Sequence, residues 1–261
     1  MEKINETGVV LNNQEYWDEY WQQGHKTSFG AEIIDNYADI TLVGDSLGSV
    51  LYNYDTTKKV TLRNMIDHSK SVRLGTKKSL MVVDMPFNTY NSKKTALKNA
   101  KKIIKETKCD AVKLEGGIKI IDQVRYLIKN KISVMGHLGL LPQTAKGKFK
   151  SKGRSAKENK QLMKDALLLQ NSGVFAIVLE CVKVSSAKQI TQQLKISTIG
   201  IGSSVHCDVQ VLVTDDLIGL NNINFRFVKK FTDIRKYINL GVKKFSLEVK
   251  SKKYPTKKHS Y

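Results

Sequence analysis

The sequence predicts an α/β fold in which parallel strands and helices alternate and close into a (β/α)8 barrel of the TIM type. Short apolar runs rich in β-branched residues alternate with longer segments of helical spacing, and this alternation is regular from residue 38 onward. No linker or low-complexity stretch interrupts the pattern. Because strands that alternate with helices pair in parallel through right-handed crossovers, we predict one barrel domain over residues 1–261.

Seven runs have the composition of strands that are buried on both faces. Apolar residues fill nearly every position of each run, and Gly, Asp or Pro bounds it. A weaker run at Gly8–Leu11 would supply an eighth strand. This number of strands favours a closed barrel over an open, doubly wound sheet. The seven runs are Ile40–Val43, Leu80–Val83, Ala111–Leu114, Ile132–Met135, Phe175–Leu179, Ile196–Ile201 and Val209–Val213.

Helices are predicted in the segments between the strands, where apolar residues recur at helical spacing. Ala96, Ala100 and Ile103, for example, fall on one face of a helix. Gly173 stands where a glycine commonly caps the carboxyl end of a helix. The predicted helices are Leu62–Leu74, Lys93–Thr107, Ile118–Asn130, Ala156–Asn171 and Ser185–Leu194.

The two ends of the chain depart from this pattern. Residues 1–27 form an atypical N-terminal segment, in which residues 12–27 are polar and aromatic and could form a helix. Residues 250–261 form a basic C-terminal tail rich in lysine.

The formal net charge of +20 raises the possibility of nucleic-acid binding. The basic residues are overwhelmingly lysines spread along the chain, and arginine, which reads guanine edges and phosphates in a bidentate manner, is scarce. We therefore interpret the charge as solvated helix faces and a basic tail, with attraction of anionic substrates as a secondary benefit, and predict no specific nucleic-acid partner.

The cysteines and the apolar runs indicate which cellular compartment to expect for the protein. The three cysteines, Cys109, Cys181 and Cys207, show neither a CxxC motif nor metal-ligand spacing, which fits free thiols in a reducing cytosol. The first residues lack the apolar stretch of a secretory signal, and no run approaches the length that spans a bilayer. We expect a cytoplasmic protein without a membrane partner.

Titratable residues stand at the ends of five successive predicted strands. All carboxyl ends of a parallel barrel lie on one face, which carries the chemistry in barrel enzymes. Any one acidic residue there could merely cap a helix, but a buried group of several must be paired or metal-bound. Lys113 and Glu115 are two positions apart in one strand and should both point inward. The five residues are Asp45, Asp84, Glu115, His137 and Glu180.

Three of these carboxylates, Asp45, Asp84 and Glu115, suit a hard cation such as Mg²⁺ better than Zn²⁺, because neither a cysteine nor a pair of histidines accompanies them. His137 is either an ordinary polar residue at a strand end or a catalytic one. Ser46 lacks the GxSxG context of a nucleophile, so a hydrogen-bonding role fits it better.

The motifs that contain these residues resemble those of the ketopantoate hydroxymethyltransferase family, also called 3-methyl-2-oxobutanoate hydroxymethyltransferase. The resemblance covers roughly residues 28–261 and keeps the motifs in order. They are Leu42-Val43-Gly44-Asp45-Ser46-Leu47-Gly48, Asp84-Met85-Pro86-Phe87, Val112-Lys113-Leu114-Glu115-Gly116-Gly117, Gly136-His137-Leu138-Gly139-Leu140 and Leu179-Glu180-Cys181-Val182.

The resemblance implies a barrel of the phosphoenolpyruvate-binding kind and a homo-oligomer, commonly a decamer. It implies transfer of a one-carbon unit from 5,10-methylenetetrahydrofolate to 3-methyl-2-oxobutanoate, which gives 2-dehydropantoate for pantothenate and coenzyme A synthesis. It assigns the proton acceptor to Glu180, and His137 could orient the new hydroxyl group or a water molecule.

By the same resemblance, Asp45, Asp84 and Glu115 correspond to the family's Mg²⁺ site. The oxoacid contacts correspond to Asp45, Ser46, Asp84 and Lys113. The physical argument agrees, because the cation and Lys113 can both stabilise the negative charge that forms when the oxoacid loses its C3 proton.

The chain departs from the family pattern before residue 28, where the first barrel strand of the family is missing, replaced or displaced. Two other readings therefore stay open. One is a related Mg²⁺-dependent lyase or mutase that acts on oxoacids. The other is a non-catalytic descendant, or basic binding protein, that keeps the barrel.

Overall fold

A computed structural model of the chain describes residues 29–145, 150–221 and 225–261. These residues fall into two units, the larger of which ends at Leu212 and the smaller of which includes residues 213–261. The predicted strand at Gly8–Leu11 and the aromatic segment at residues 12–27 lie outside the described residues. The single-domain organisation stays a prediction.

The larger unit is built on a sheet of seven parallel strands that pair in the order in which they occur along the chain. A doubly wound sheet would reverse its strand order at a switch point, whereas the strands of a barrel follow one another without reversal. A barrel-like parallel sheet is therefore confirmed, and its closure by an eighth strand stays a prediction. The strands are β1 (Ile40–Val43), β2 (Leu80–Asp84), β3 (Ala111–Glu115), β4 (Val134–Gly139), β5 (Ala176–Glu180), β6 (Ser197–Ile201) and β7 (Val209–Gln210).

The helices of this unit agree closely with the prediction. The hydroxyl groups of Thr61, Ser92 and Ser155 cap three of them by accepting a hydrogen bond from the backbone N–H three residues later. The predicted segment Ile118–Asn130 begins as a 3-10 turn at Ile118–Ile120 and becomes α-helical from Ile121. The helices are α1 (Phe29–Ile34), α2 (Leu47–Val50), α3 (Leu62–Gly75), α4 (Lys93–Thr107), α5 (Ile121–Lys129), α6 (Ala156–Asn171) and α7 (Val184–Gln193).

The two faces of the sheet bury different groups, because successive side chains of a strand point in opposite directions. One face packs against the amphipathic helices and forms the larger apolar cluster. On the other face, side chains from β1 to β6 pack against one another, which requires the sheet to curl around them. The buried members of this second cluster, called the inner layer here, are Val82, Ala111, Met135, Ala176, Val178 and Ile199.

Two strands, β4 and β7, differ from their predicted bounds by more than one residue. β4 begins at Val134 and continues through Gly136 to Gly139, whereas the sequence predicts a strand that ends at Met135. Gly136 reads as a strand boundary, but a Cβ there would lie 3.1 Å from a methyl carbon of Leu169, so glycine allows close packing of the helix on the strand. β7 pairs with β6 at only two positions and is correspondingly shorter than predicted.

The smaller unit contains α8 (Thr214–Leu217), α9 (Ile234–Lys250) and a 3-10 turn at Lys257–His259 within the basic tail. Phe225 and Phe227 stack with their ring centroids 5.6 Å apart. Among the helices that the structure describes, none is long and apolar enough to cross a membrane.

Candidate active site

The charged residues at the carboxyl ends of the strands continue the rows of the inner layer. Two positions beyond Val82 lies Asp84, and two beyond Met135 lies His137, so both face the same side as the apolar residues before them. The pairing places Asp84 beside Lys113 and Glu115 beside His137. With Asp45 in the turn after β1, we call this group the strand-end cluster. Its members are Asp45, Asp84, Lys113, Glu115, His137 and Glu180.

Asp84 links β1 and β3 through its two carboxylate oxygens. Oδ1 lies 2.8 Å from Nζ of Lys113, and both side chains are about 5% exposed or less. Oδ2 accepts a hydrogen bond of 3.0 Å from the backbone N–H of Asp45. Asp84 therefore fixes the turn that carries Asp45 and pairs with the buried ammonium group.

His137 connects the other members of the cluster. Its Nδ1 lies 3.2 Å from Nζ of Lys113 and 3.6 Å from Oε1 of Glu115. Its Nε2 lies 3.3 Å from Oε2 of Glu180, whose side chain is more exposed than the others at 19%. The imidazole ring thus stands between the carboxylate at the end of β5 and the buried side chains of Lys113 and Glu115.

The backbone of β4 approaches the backbone of Glu180 closely, and this contact requires glycine at position 139. The carbonyl oxygen of Glu180 accepts from the N–H of Leu140, and a Cβ on Gly139 would lie only 2.1 Å from that oxygen. Gly139 also has φ +97°, a conformation that L side chains rarely adopt. The close approach of β4 to β5 at this end therefore depends on Gly139.

Ser46 lies at the edge of the cluster, at the residue before α2. Its Oγ would stand 3.1 Å from a Cβ on Gly44, and Oδ2 of Asp84 would stand 3.6 Å from the same point. A side chain at Gly44 would therefore crowd both the hydroxyl group of Ser46 and the carboxylate of Asp84.

Two further buried residues contact the cluster, and the sequence did not predict them. Gln143 donates through Nε2 to Oδ2 of Asp45 at 2.8 Å, and through its backbone N–H to Oε2 of Glu115 at 3.1 Å. The hydroxyl group of Tyr90 donates to Oε1 of Gln143. Both residues lie in loops at the carboxyl end of the sheet, where neutral polar residues are common, so the sequence carries little signal for them.

Burial changes the protonation behaviour of the cluster. Loss of solvation and the nearby Asp84 raise the pKa of Asp45 from 3.8 to about 7. Burial likewise raises the pKa of Glu115, against the opposing effect of His137. Burial by itself would lower the pKa of Lys113, but the attraction of Asp84, Glu115 and Asp45 outweighs it and raises that pKa.

The cluster has more acidic side chains than basic ones, because four carboxylates accompany one lysine and one histidine. Lys113 pairs with Asp84, and His137 lies next to Glu115 and Glu180. An added divalent cation with oxygen ligands would relieve this excess of negative charge, so the donor set fits Mg²⁺ in charge and ligand type. Within the described residues, no group of three or more His, Cys, Asp or Glu side chains is arranged so that it could hold a metal ion. Mg²⁺ commonly keeps several waters and few protein ligands, and an open arrangement suits it.

The structure therefore brings together six of the seven residues that the sequence singled out and places Ser46 beside them. Apart from Glu180, the members of the strand-end cluster are almost completely buried.

A sequence model of the ketopantoate hydroxymethyltransferase family matches residues 25–257. The chain is 64% identical over 231 residues to the 3-methyl-2-oxobutanoate hydroxymethyltransferase of Pelagibacter ubique (strain HTCC1062), a match that covers 88% of this chain and 90% of that one. It is 44% identical over 235 residues to the protein of the same name from Rhizobium etli, with 88% and 86% covered.

Solved structures of similar fold include 2,3-dimethylmalate lyase, a member of the PEP mutase/isocitrate lyase superfamily, with a TM-score of 0.54 at 9% identity over 89% of this chain and 80% of that chain. Phosphonopyruvate hydrolase in complex with oxalate and Mg²⁺ gives a TM-score of 0.53 at 7% identity, with 88% and 84% covered. At these identities the likeness concerns the fold alone, and it agrees with the barrel-like sheet.

Proposed function

This chain belongs to the ketopantoate hydroxymethyltransferase family, and we propose that its strand-end cluster is the active site for that transfer. The reaction moves a hydroxymethyl group from 5,10-methylenetetrahydrofolate to 3-methyl-2-oxobutanoate and gives 2-dehydropantoate, a precursor of pantothenate. The observation that carries the proposal is the buried Asp84–Lys113 pair, flanked by Asp45 and Glu115 at the mouth of a parallel barrel-like sheet.

Asp45, Asp84 and Glu115 would hold Mg²⁺. The convergence of these three buried carboxylates with only Lys113 and His137 as basic neighbours supports this assignment. When bound, the cation would supply a Lewis acid that polarises the oxoacid and balances the charge of the cluster. The solved structure of phosphonopyruvate hydrolase, which has a similar fold, contains Mg²⁺. The Mg²⁺ ion is a property of that protein, and it is consistent with a Mg²⁺ site on this fold.

Asp45, Ser46, Asp84 and Lys113 would contact the oxoacid. Lys113 is 4% exposed and keeps its positive charge because its neighbours raise its pKa. A fixed ammonium group in a site with little water stabilises negative charge that develops on a substrate oxygen. The hydroxyl group of Ser46 and the carboxylate of Asp84 both lie next to Gly44, so one polar group of the substrate would contact both side chains.

Glu180 would accept the proton from C3 of the oxoacid. It is the most exposed carboxylate of the cluster, and its Oε2 lies 3.3 Å from Nε2 of His137. A base needs access to the substrate, and the partial exposure of Glu180 offers it. The carbanion at C3 would then attack the methylene carbon that the folate carries, and the overall transfer would consume one water and release tetrahydrofolate. His137 would orient Glu180 and the new hydroxyl group or a water molecule.

The remaining parts of the proposal rest on the family rather than on the described contacts. They are 5,10-methylenetetrahydrofolate as co-substrate, a homo-oligomer that is commonly a decamer, and a place in the cytoplasm. We propose no specific nucleic-acid partner and no membrane partner.

Two measurements test this function. Purified protein with Mg²⁺, methylenetetrahydrofolate and 3-methyl-2-oxobutanoate should form 2-dehydropantoate. Without folate, in deuterium oxide, the protein should exchange the C3 proton of the oxoacid, and chelation of Mg²⁺ should stop the exchange. Cleavage of another oxoacid without either reaction would favour the lyase or mutase reading, and Mg²⁺-independent binding without turnover would favour a non-catalytic descendant.

A further inference from the structure

The amide of Gln143 is buried at the centre of the candidate active site, and all of its polar atoms are used. Gln143 is 1% exposed. Its Nε2 donates to Oδ2 of Asp45 at 2.8 Å and to the carbonyl oxygen of Met85 at 3.0 Å, while Oε1 accepts from the hydroxyl group of Tyr90. A buried amide whose two donors and one acceptor are all engaged is held in one orientation.

The direction of this amide follows from its partners. Asp45 and the carbonyl group of Met85 are both acceptors here, so the NH₂ group must face them. Tyr90 supplies the donor that the amide oxygen needs on the opposite side. A flipped amide would place its oxygen against two other oxygens, which is unfavourable in a buried position.

The backbone that carries Gln143 is fixed as well. The N–H groups of Thr144 and Ala145 both donate to the carbonyl oxygen of Leu141, which closes a turn around Pro142 and Gln143. Within this turn the N–H of Gln143 itself donates to Oε2 of Glu115. One residue of the loop after β4 therefore holds one oxygen from each of two carboxylates, which come from the ends of β1 and β3.

We infer that Gln143 is a positioning residue that orients the Asp45 carboxylate toward a divalent cation, and that Tyr90 positions Gln143 in turn. The inference rests on the proposed function, because it extends the account of the same site. Gln143 hydrogen-bonds one oxygen of Asp45 without adding a positive charge, so the second oxygen stays available to the cation. A lysine or arginine at this position would neutralise Asp45 and compete with the metal.

The variant Gln143→Met tests this, because methionine has a similar length and lacks both polar ends. It releases Asp45 and leaves the backbone N–H that holds Glu115. The probe is Mn²⁺, whose free fraction is measured by electron paramagnetic resonance during titration of the protein. We expect the Mn²⁺ affinity to fall about 10- to 100-fold, the range found when a residue that supports a metal ligand is lost. Gln192→Met, on an exposed turn of α7, is the matched control and should bind Mn²⁺ as the unaltered protein does.

A second readout separates positioning from a purely structural role. The exchange of the C3 proton is measured against Mg²⁺ concentration. If Gln143 positions a metal ligand, the Mg²⁺ concentration for half-maximal exchange rises by a similar factor, and most of the exchange rate returns at saturating Mg²⁺. A structural defect would lower the rate at every Mg²⁺ concentration.

The variant Tyr90→Phe tests the second half of the inference and also serves if Gln143→Met does not fold. It removes the donor to Gln143 and a longer contact to the carbonyl oxygen of Glu115, and we expect a loss of Mn²⁺ affinity of about five-fold. Folded variants that bind Mn²⁺ as tightly as the unaltered protein would overturn the inference. Failure of the unaltered protein to bind Mn²⁺ would instead overturn the metal site of the proposed function.

Discussion

Two buried aspartates at opposite ends of the sheet are held in opposite ways. Asp35, at the amino end, accepts hydrogen bonds from the backbone N–H groups of Lys77, Lys78 and Ser79 and from the hydroxyl group of Ser79. These hydrogen bonds, above all that from the Ser79 N–H, hold its pKa far below the ordinary range. At the carboxyl end, burial and the neighbouring Asp84 raise the pKa of Asp45 to about 7.

We interpret Asp35 as a carboxylate that stabilises the fold and Asp45 as a carboxylate that is placed to bind a ligand. The protein provides enough donors for Asp35, which joins α1 to the start of β2. It provides fewer for Asp45 and places other carboxylates beside it, an arrangement that costs stability unless something binds. Sites for ligands commonly carry such a cost, because the charges that favour the ligand repel one another in its absence.

The largest effect is expected for the base. Glu180→Gln keeps the size and the hydrogen-bonding capacity of the side chain and removes its ability to accept a proton. The rate of C3 proton exchange should fall about 10²- to 10⁴-fold, while Mn²⁺ binding stays close to that of the unaltered protein. Nuclear magnetic resonance of the oxoacid in deuterium oxide measures the exchange. An unchanged rate would remove Glu180 as the proton acceptor.

The variant Lys113→Met tests the role of the buried ammonium group that pairs with Asp84 at the carboxyl end of the sheet. Loss of the ammonium group should slow proton exchange about 10²- to 10³-fold, because negative charge on the substrate is no longer stabilised. It should also destabilise the metal-free protein by about 3 to 5 kcal/mol, since Asp84 is left without its buried partner. Urea unfolding measures the second effect, with Lys101→Met on an exposed face of α4 as the control. Normal stability and exchange together would contradict the geometry described for Lys113.

The paired variants Asp35→Asn and Asp45→Asn test the comparison itself. Asp35→Asn places an NH₂ group against backbone donors, so the thermal midpoint should fall while proton exchange per folded molecule stays normal. Asp45→Asn removes a repelled charge, so the metal-free protein should melt at the same or a higher temperature, while its Mn²⁺ affinity falls at least ten-fold. If both variants lost stability alike and kept Mn²⁺ binding, the contrast between the two ends would be wrong.

The smallest effect concerns pH. The folded metal-free protein keeps the proton of Asp45 up to about pH 7, whereas the unfolded chain releases it near pH 3.8. Raising the pH through this window therefore favours unfolding, and Asp45 should lower the stability progressively between these values. Asp35 acts in the opposite direction, because its stabilising contribution is present above its ordinary pKa and is lost as the pH falls below it. Thermal melts of each Asn variant against the unaltered protein, taken from pH 2 to pH 8, check both signs.

Much of the fold was predictable because local sequence patterns specify its strands and helices. Apolar runs of strand length and helical stripes placed six strands and five helices to within about three residues, and strand alternation predicted that Lys113 and Glu115 face the same side. The end of β4 was predicted wrongly because Gly136 serves close packing against α6 rather than a turn. This close packing depends on Leu169, which lies some thirty residues further along the chain. The sequence around Gly136 therefore does not reveal it.

The candidate site was predictable in its charged residues and not in its neutral ones. A buried carboxylate is unusual enough at a strand end to be noticed, whereas Gln143 and Tyr90 look like ordinary loop residues until their partners are known. The first barrel strand of the family has no counterpart in the described residues, where the first strand is Ile40–Val43.

The central claim is that acids from β1, β2 and β3 surround one divalent cation at the carboxyl end of the sheet. Crystals grown with Mn²⁺ and 3-methyl-2-oxobutanoate test this claim most directly, because Mn²⁺ is located by its anomalous scattering. The account predicts one strong peak within coordination distance of the Asp45 and Asp84 carboxylates, with the oxoacid beside Lys113. A peak elsewhere, or an oxoacid bound away from these side chains, would contradict it.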